Sequence, residues 1–188
     1  IRKAWASLFG ARAIFYRSTK GFDHFKVALA IPVQLMIQSE ISGVMFTIDP
    51  VSHEKNRLII EAVYGLGEYL VQGIVTPDIY VVEKSSLDIL SKKVEKQTIQ
   101  LVKVGSLNKK TAVPRRLRLR RKLTDSQIKI LAQIGKKIHS HYFYPQDIEW
   151  VLYKKKFYIV QSRPVTTLKK ENKEDEENKE IKRKPILI

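Results

Sequence analysis

The sequence predicts an α+β domain built around a largely antiparallel sheet with packed helices. Three observations lead to this fold class. Apolar residues recur at helical spacing near the start of the chain and again in its last third. Short stretches of alternating or continuous apolar residues lie between and after these segments. The strand-like stretches come without the regular strand–helix–strand alternation of a parallel sheet, which favours antiparallel pairing.

Two segments carry the helical pattern. Residues 1–17 place apolar side chains on one side at a spacing of three to four, which predicts an amphipathic helix. The second segment begins at Thr124, which is followed by Gln127 in the spacing of a capping box, and its apolar stripe runs to about Tyr142. Pro145 then breaks the chain, so we expect the second helix to end before it.

Five stretches carry the strand pattern, each bounded by turn residues. The first alternates Val33, Leu35 and Ile37 with polar or longer side chains. The last is a predicted hairpin of two strands, which the lysines at 154–156 would join. The predicted strands cover residues 32–38, 43–48, 57–63 and 78–84, followed by the hairpin at 147–164.

The composition restricts the class of protein. No run of about 18 apolar residues occurs, so no membrane association is expected, and the chain contains no Cys to form disulfides. These features favour a cytoplasmic protein. The formal charge is +16, and residues 103–137 hold twelve Lys or Arg against the single acid Asp125. The basic run at 114–122 could contact nucleic acid, but it has no aromatic residues for stacking, so a solvated face or a polyphosphate groove is the preferred interpretation.

The predicted hairpin has four polar side chains among apolar ones. If residues 154–156 form its loop, Tyr153 lies opposite Phe157 and Glu149 lies opposite Gln161. Because strand side chains alternate, Glu149 and Gln161 then share one face with Asp147 and Arg163. A two-residue turn would shift this pairing. The other face of the hairpin would enter the core with Ile148, Trp150, Leu152, Tyr158 and Val160.

This polar face has the chemistry of a magnesium–phosphate site. Directly opposed side chains have Cβ atoms about 4.5–5.5 Å apart, so Glu149 and Gln161 could reach one cation. Mg²⁺ takes one or two protein oxygens and completes its shell with water and phosphate. Arg163 would supply a planar fork of donors to a phosphate oxygen. The alternative is a solvent-facing strand whose polar residues have no ligand.

Several stretches resemble phosphoenolpyruvate synthases and occur in the same order as in that family. The resemblance covers about residues 1–168. Its most specific part is the spacing of three residues: Glu149, then Gln161 twelve residues later, then Arg163 two residues further on. Pyruvate phosphate dikinase and rifampin phosphotransferase share the domain. The stretches are IRKAWASLFGARAIFYR, VQLMIQSEISGVMFTIDP, IEAVYGLGEYLVQGIVTPDIYVVEK and HYFYPQDIEWVLYKKKFYIVQSRPVTT, with LTDSQI before the last.

The resemblance implies an ATP-grasp fold that binds ATP and Mg²⁺, and it implies roles for individual residues. Glu149 and Gln161 would bind Mg²⁺ and phosphate, Arg163 would hold the terminal phosphate, and Asp147 would support them. A second set would bind the nucleotide: Gln34, Met36 and Ile37 at the adenine pocket, and Glu61 near the nucleotide unless it is an exposed edge residue. The glycines of YGLGE would let the backbone approach ATP or form a plain turn.

The resemblance also implies that residues 1–168 are the later part of the nucleotide-binding domain. Residues 169–188 are interpreted as a charged linker toward a phosphohistidine domain. The upstream half of the ATP-grasp domain and the pyruvate-binding domain would be further partners, in the same chain or separate ones. Alone, the chain is expected to be inactive. The alternatives are a degenerate paralogue, whose basic surface binds a partner or nucleic acid, and an autonomous ATP-dependent ligase.

Overall fold

A computed structural model describes residues 1–165 and shows an α+β chain with a mostly antiparallel sheet, as predicted. The predicted linker at 169–188 lies outside the described residues. The chain divides into two compact units, residues 1–36 and the residues from 37 onward. The helices are α1 Arg2–Ala6, α2 Ala11–Lys20, α3 Glu68–Val71 and α4 Asp125–Tyr142. The strands are β1 Ile41–Phe46, β2 Arg57–Tyr64, β3 Asp78–Glu83, β4 Ile89–Lys93, β5 Ile99–Val104, β6 Leu107–Ala112, β7 Gln146–Tyr153 and β8 Lys156–Pro164.

The first unit contains two short helices where the sequence predicted one helix over residues 1–17. The helix breaks at Gly10, whose backbone is extended, and α2 begins directly after it. Glycine is a poor interior helix residue because it loses more backbone entropy than other residues. Gly21 ends α2 in the left-handed conformation, with φ of 70°.

The predicted strand at 32–38 is wrong. The structure assigns no strand to these residues, and Val33 and Leu35 are 85% and 84% exposed. Alternation of side chains is not enough for a strand, because the backbone groups also need a neighbouring strand to bond. Sheet pairing in this region starts only at Glu40, whose N–H donates to the Leu152 carbonyl at 3.0 Å.

The second unit is built on a six-stranded sheet in the order β4-β3-β2-β1-β7-β8, in which every neighbouring pair is antiparallel. The predictions for β1, β2, β3 and the final hairpin are confirmed within a few residues. A separate hairpin pairs β5 with β6, and the sequence did not predict either of these strands or β4. β4 and β6 have mostly exposed, polar residues, so they lack the apolar alternation that marks a half-buried strand.

Helix α4 covers one face of this sheet, which we call the core face. The capping box predicted from the sequence is present: Thr124 accepts from the Gln127 amide, and the Gln127 side chain accepts from the Thr124 amide. Ile128, Leu131 and Ala132 of α4 are buried in the core cluster. Their partners from the sheet include Met45, Leu58, Ile60, Ala62, Tyr80, Val82, Ile148, Trp150 and Leu152.

Gly43 sits where three central strands meet, and we expect Gly43→Ala to lower the free energy of unfolding by about 3 kcal/mol. A Cβ there would lie 1.8 Å from the Glu61 carbonyl oxygen and 2.5 Å from Cζ2 of Trp150. The backbone atom cannot withdraw without separating β1 from β2. Urea denaturation measures this change.

Gly135→Ala is the matched control for this substitution. The added Cβ would lie 2.6 Å from Cε of Met45, which is the flexible end of a side chain. Alanine also favours a helix over glycine by about 1 kcal/mol, so we expect a net change within about 1 kcal/mol. Equal costs for the two variants would contradict this account of the sheet centre.

Candidate functional site

The face of the sheet opposite α4 carries a row of side chains across four strands, which we call the polar row. Glu61 of β2 and Glu149 of β7 both pair with Val44 of β1, and Glu149 also pairs with Gln161 of β8. Directly opposed residues share a face, so these side chains all emerge on the same side. Neighbouring strands are about 4.8 Å apart, which places the two glutamates about 10 Å apart with Val44 between them.

The predicted pairing of Glu149 with Gln161 is confirmed, but the predicted three-residue loop is wrong. Tyr153 pairs with Lys156, so the loop has only two residues, Lys154 and Lys155, both with positive φ. This conformation belongs to a tight turn of type I′. The register then shifts by one residue between Trp150 and Glu149, and this irregularity restores the pairing that a two-residue loop alone would have lost.

The register shift also changes which residues of β8 face the core. Tyr158 was predicted to enter the core, but it pairs with Val151 and therefore lies on the face of the polar row. Phe157 takes its place: it packs on the core, with its ring 5.6 Å from the Trp150 ring in an edge-on contact. Val160, the other predicted core residue of β8, is half-buried.

Arg163 and Asp147 form an ion pair beside the polar row, two residues from Gln161 on β8 and from Glu149 on β7. They pair directly across β7 and β8, and both Nε and Nη2 of Arg163 contact Oδ2 of Asp147, at 2.9 and 2.8 Å. The Asp147 side chain is 14% exposed, whereas the Arg163 side chain is 63% exposed. Asp147 therefore holds the guanidinium in one orientation while leaving much of it accessible to an anion.

Glu61 lies in an environment that opposes its ionisation. Burial raises the pKa of the Glu61 carboxyl, and the negative charge of Asp147 raises it further. The alternative that Glu61 is an exposed edge residue is therefore wrong, because β2 is a central strand and the carboxyl is partly buried. A cation bound on this face would favour the ionised form of Glu61.

A buried network supports the start of the β7–β8 hairpin, and the sequence did not identify it as part of the site. The Gln146 side chain is 2% exposed, accepts from the Ser162 hydroxyl at 3.0 Å and donates to the Tyr144 carbonyl at 3.1 Å. Its backbone N–H donates to the Thr47 hydroxyl at 2.7 Å. This network ties β8 to β7 next to Arg163. The signal in the sequence was a Gln placed directly after the helix-breaking Pro145.

His139 lies behind this network and is not part of the polar row. Its Nδ1 is 2.9 Å from the Thr47 hydroxyl, and burial together with the charge of Lys84 lowers the pKa of its imidazole. The polar row therefore gains no histidine from this position on α4. In the described part of the chain, no three His, Cys, Asp or Glu side chains come together as a metal site.

The residues present fit Mg²⁺ bound together with a polyphosphate rather than a metal cage made by protein alone. Glu149 and Gln161 stand opposite each other and offer a carboxylate and an amide oxygen. Mg²⁺ commonly takes one or two protein oxygens and fills its other positions with phosphate and water.

The other residues predicted to contact the nucleotide belong to other segments of the chain. Gln34 and Met36 lie in the first unit and Ile37 begins the second, so their role at an adenine pocket stays a prediction. Gly65, the first glycine of YGLGE, has φ of 83° and approaches the Leu101 carbonyl of β5. Its carbonyl accepts from the hydroxyls of Ser39 and Ser42. This close approach is to the chain itself, as expected of a structural turn.

Within residues 1–165, no helix is both long enough and apolar enough to cross a bilayer.

Comparison with known proteins assigns the chain to a protein family. The family "Pyruvate phosphate dikinase, AMP/ATP-binding domain" matches residues 1–184, and the chain belongs to this family. The resemblance to phosphoenolpyruvate synthases is thereby confirmed. Phosphoenolpyruvate synthase of Pyrococcus furiosus is 43% identical over the whole chain, and a probable phosphoenolpyruvate synthase of Methanocaldococcus jannaschii is 46% identical over the whole chain. Rifampicin phosphotransferase of Bacillus cereus is 42% identical over 89% of it. The chain spans only 24%, 16% and 19% of the lengths of these relatives.

Proposed function

We propose that this chain is the ATP- and Mg²⁺-binding part of a phosphoenolpyruvate synthase, with the polar row as the wall that contacts the phosphates. The observation that supports this most directly is the pairing of Glu149 with Gln161 beside the Asp147–Arg163 ion pair. This pairing brings a carboxylate oxygen, an amide oxygen and an oriented guanidinium to one face, which supports the proposal. The family match and the phosphoenolpyruvate synthase relatives support the nucleotide as ligand.

The proposed binding mode assigns a task to each side chain. Glu149 and Gln161 hold Mg²⁺ against the phosphates, and the ion offsets phosphate charge there. Arg163 donates to a terminal phosphate oxygen in the orientation that Asp147 sets. Glu61 closes the row on the β2 side, and an ATP-grasp fold would place the nucleotide between this sheet and a second subdomain. Gln34, Met36 and Ile37 would contact the adenine.

The proposed reaction passes phosphate from ATP to a histidine of a separate domain, and then to pyruvate. The reaction consumes ATP, pyruvate and water, and the products are phosphoenolpyruvate, AMP and phosphate, with one phosphoryl group of ATP going to pyruvate and the other to water. Further domains of the kind that fill the remaining length of the relatives would supply the histidine, the pyruvate site and the other wall of the nucleotide cleft. Phosphoryl transfer spreads charge over several oxygens, so cationic groups are needed on more than one side.

The test is binding of Mg·ATP to the protein with its remaining domains, measured by calorimetry. Glu149→Gln keeps the shape of the side chain and removes its charge, so we expect about tenfold weaker binding and a higher Mg²⁺ requirement. Glu68→Gln is the matched control, because it removes an exposed glutamate on α3, outside the polar row. Equal affinity of the parent and Glu149→Gln at every Mg²⁺ concentration would refute the assignment.

A further inference from the structure

A cavity at the carboxyl end of β2 suggests a second anionic-ligand site. The cavity has a volume of about 320 Å³ and is lined by Tyr64, Leu117 and residues 120–124. Tyr64 is three residues from Glu61 on the same strand, so the two side chains point to opposite faces of the sheet. The cavity is therefore separate from the polar row.

The charge around this cavity is positive and only partly neutralised. Three cations, Arg120, Arg121 and Lys122, belong to the cavity lining. Lys122 is fully buried and paired with Asp78, and Arg121 pairs with Asp125, which Lys92 also contacts. For Arg120 no carboxylate lies within ion-pair distance in the part of the chain that the structure describes.

The walls of the cavity combine this charge with apolar surface. Tyr64 contributes its ring, over which Nζ of Lys122 lies at 5.6 Å from the centroid, and its hydroxyl donates to the Arg120 carbonyl at 3.3 Å. Leu117 comes from the short 3₁₀ turn Arg115–Leu117. A volume near 300 Å³ is at the small end of the range for small-molecule pockets.

We propose that this cavity binds the phosphate group of a small phosphorylated molecule, with Arg120 as the main donor and Arg121 as the second. Arg121 is held by its contact with Asp125 through Nη1, so its fork is oriented. Leu117 and the Tyr64 ring form the wall for the rest of the ligand. Phosphate groups also occur in nucleic acid, but the basic run at 114–122 offers no aromatic residue for a base to stack on.

The experiment titrates the protein with inorganic pyrophosphate by calorimetry, without Mg²⁺, at rising salt concentration. Arg120→Gln is expected to weaken binding about tenfold. Arg116→Gln removes the same charge from an exposed position outside the cavity lining and is expected to change affinity less than twofold. Arg163→Gln, in the site of the proposed ATP binding, should leave pyrophosphate binding at the cavity unchanged.

Three results would overturn the proposal. Equal losses for Arg120→Gln and Arg116→Gln, with binding abolished at about 0.2 M salt, would show a diffuse basic surface. Loss of binding only in Arg163→Gln would place the anion at the polar row. Displacement of pyrophosphate by a 20-base-pair DNA duplex, with equal dependence on Arg115 and Arg116, would show a nucleic-acid surface instead.

Discussion

Replacing Asp78 with asparagine should lower the free energy of unfolding by about 3–5 kcal/mol. Asp78 and Lys122 form an ion pair at 2.6 Å, and both side chains are 0% exposed. Removing one charge of a buried pair leaves the other without compensation in a medium that solvates it poorly. The loss should appear in urea denaturation as a lower midpoint with an unchanged slope.

The cost is expected to be large because the Asp78 carboxylate joins four donors. Oδ1 accepts from Nζ of Lys122 at 2.6 Å and from the Glu95 amide at 2.9 Å. Oδ2 accepts from the Tyr80 hydroxyl at 2.8 Å and from the Lys122 amide at 3.0 Å. These bonds connect β3 with the segments before β5 and before α4. An asparagine can accept with one oxygen only, so at least one buried donor loses its partner.

A double variant separates the ion pair from the hydrogen bonds, and a break in a partly exposed ion pair serves as the control. Lys122→Met combined with Asp78→Leu removes both charges, yet it leaves the Tyr80 hydroxyl and the Glu95 amide without their acceptor. We therefore expect the double variant to remain less stable than the parent. Glu54→Gln breaks a partly exposed pair with Arg57 and should change stability by less than about 1 kcal/mol. A loss below about 1 kcal/mol for Asp78→Asn would contradict the expected cost of breaking a buried pair.

The elements that the sequence predicted well are those whose signals are local. Helix α4 has a capping box and an apolar stripe, and both lie within the segment itself. The break at Gly10 and the absence of a strand at 32–38 depend on context instead: an extended glycine, and the lack of a neighbouring strand. β5 and β6 pair with each other and contain residues such as Lys103 and Lys109. These charged residues interrupt the apolar alternation that would mark a strand in the sequence.

The sequence predicted which residues of the candidate site pair, but not the turn, the register shift and the strand order that bring them together. Glu149 lies opposite Gln161 because a two-residue turn and a register shift offset each other, and neither follows from residue spacing. The opposition of Glu61 and Glu149 across Val44 needs the order of β2, β1 and β7, which sequence periodicity does not give. The role of Asp147 in orienting Arg163 also depends on this three-dimensional register.

Replacing Arg163 with alanine should reduce phosphate transfer by about 10²–10³-fold in the protein with its remaining domains. In the proposed binding mode, the substitution removes donors aimed at the place where charge develops on the transferred group. Arg163→Lys should recover only part of the rate, because an ammonium is a point charge and cannot replace two parallel donors. Asp147→Asn should also slow transfer, since it weakens the contacts that orient the guanidinium at 2.8 and 2.9 Å.

The measurement is transfer of labelled phosphate from ATP to the histidine that the proposed reaction requires, alongside thermal unfolding of each variant. The Arg163 side chain is 63% exposed, so its ion pair contributes little to stability and the melting temperature should change little. Lys156→Ala, at the other end of β8, is the control for loss of a cation from the same strand. If Arg163→Ala transfers phosphate as fast as Lys156→Ala, then Arg163 has only a structural role in the β7–β8 hairpin. The phosphate contact must in that case come from other residues, because a cation at the reacting oxygens cannot be removed without cost to the rate.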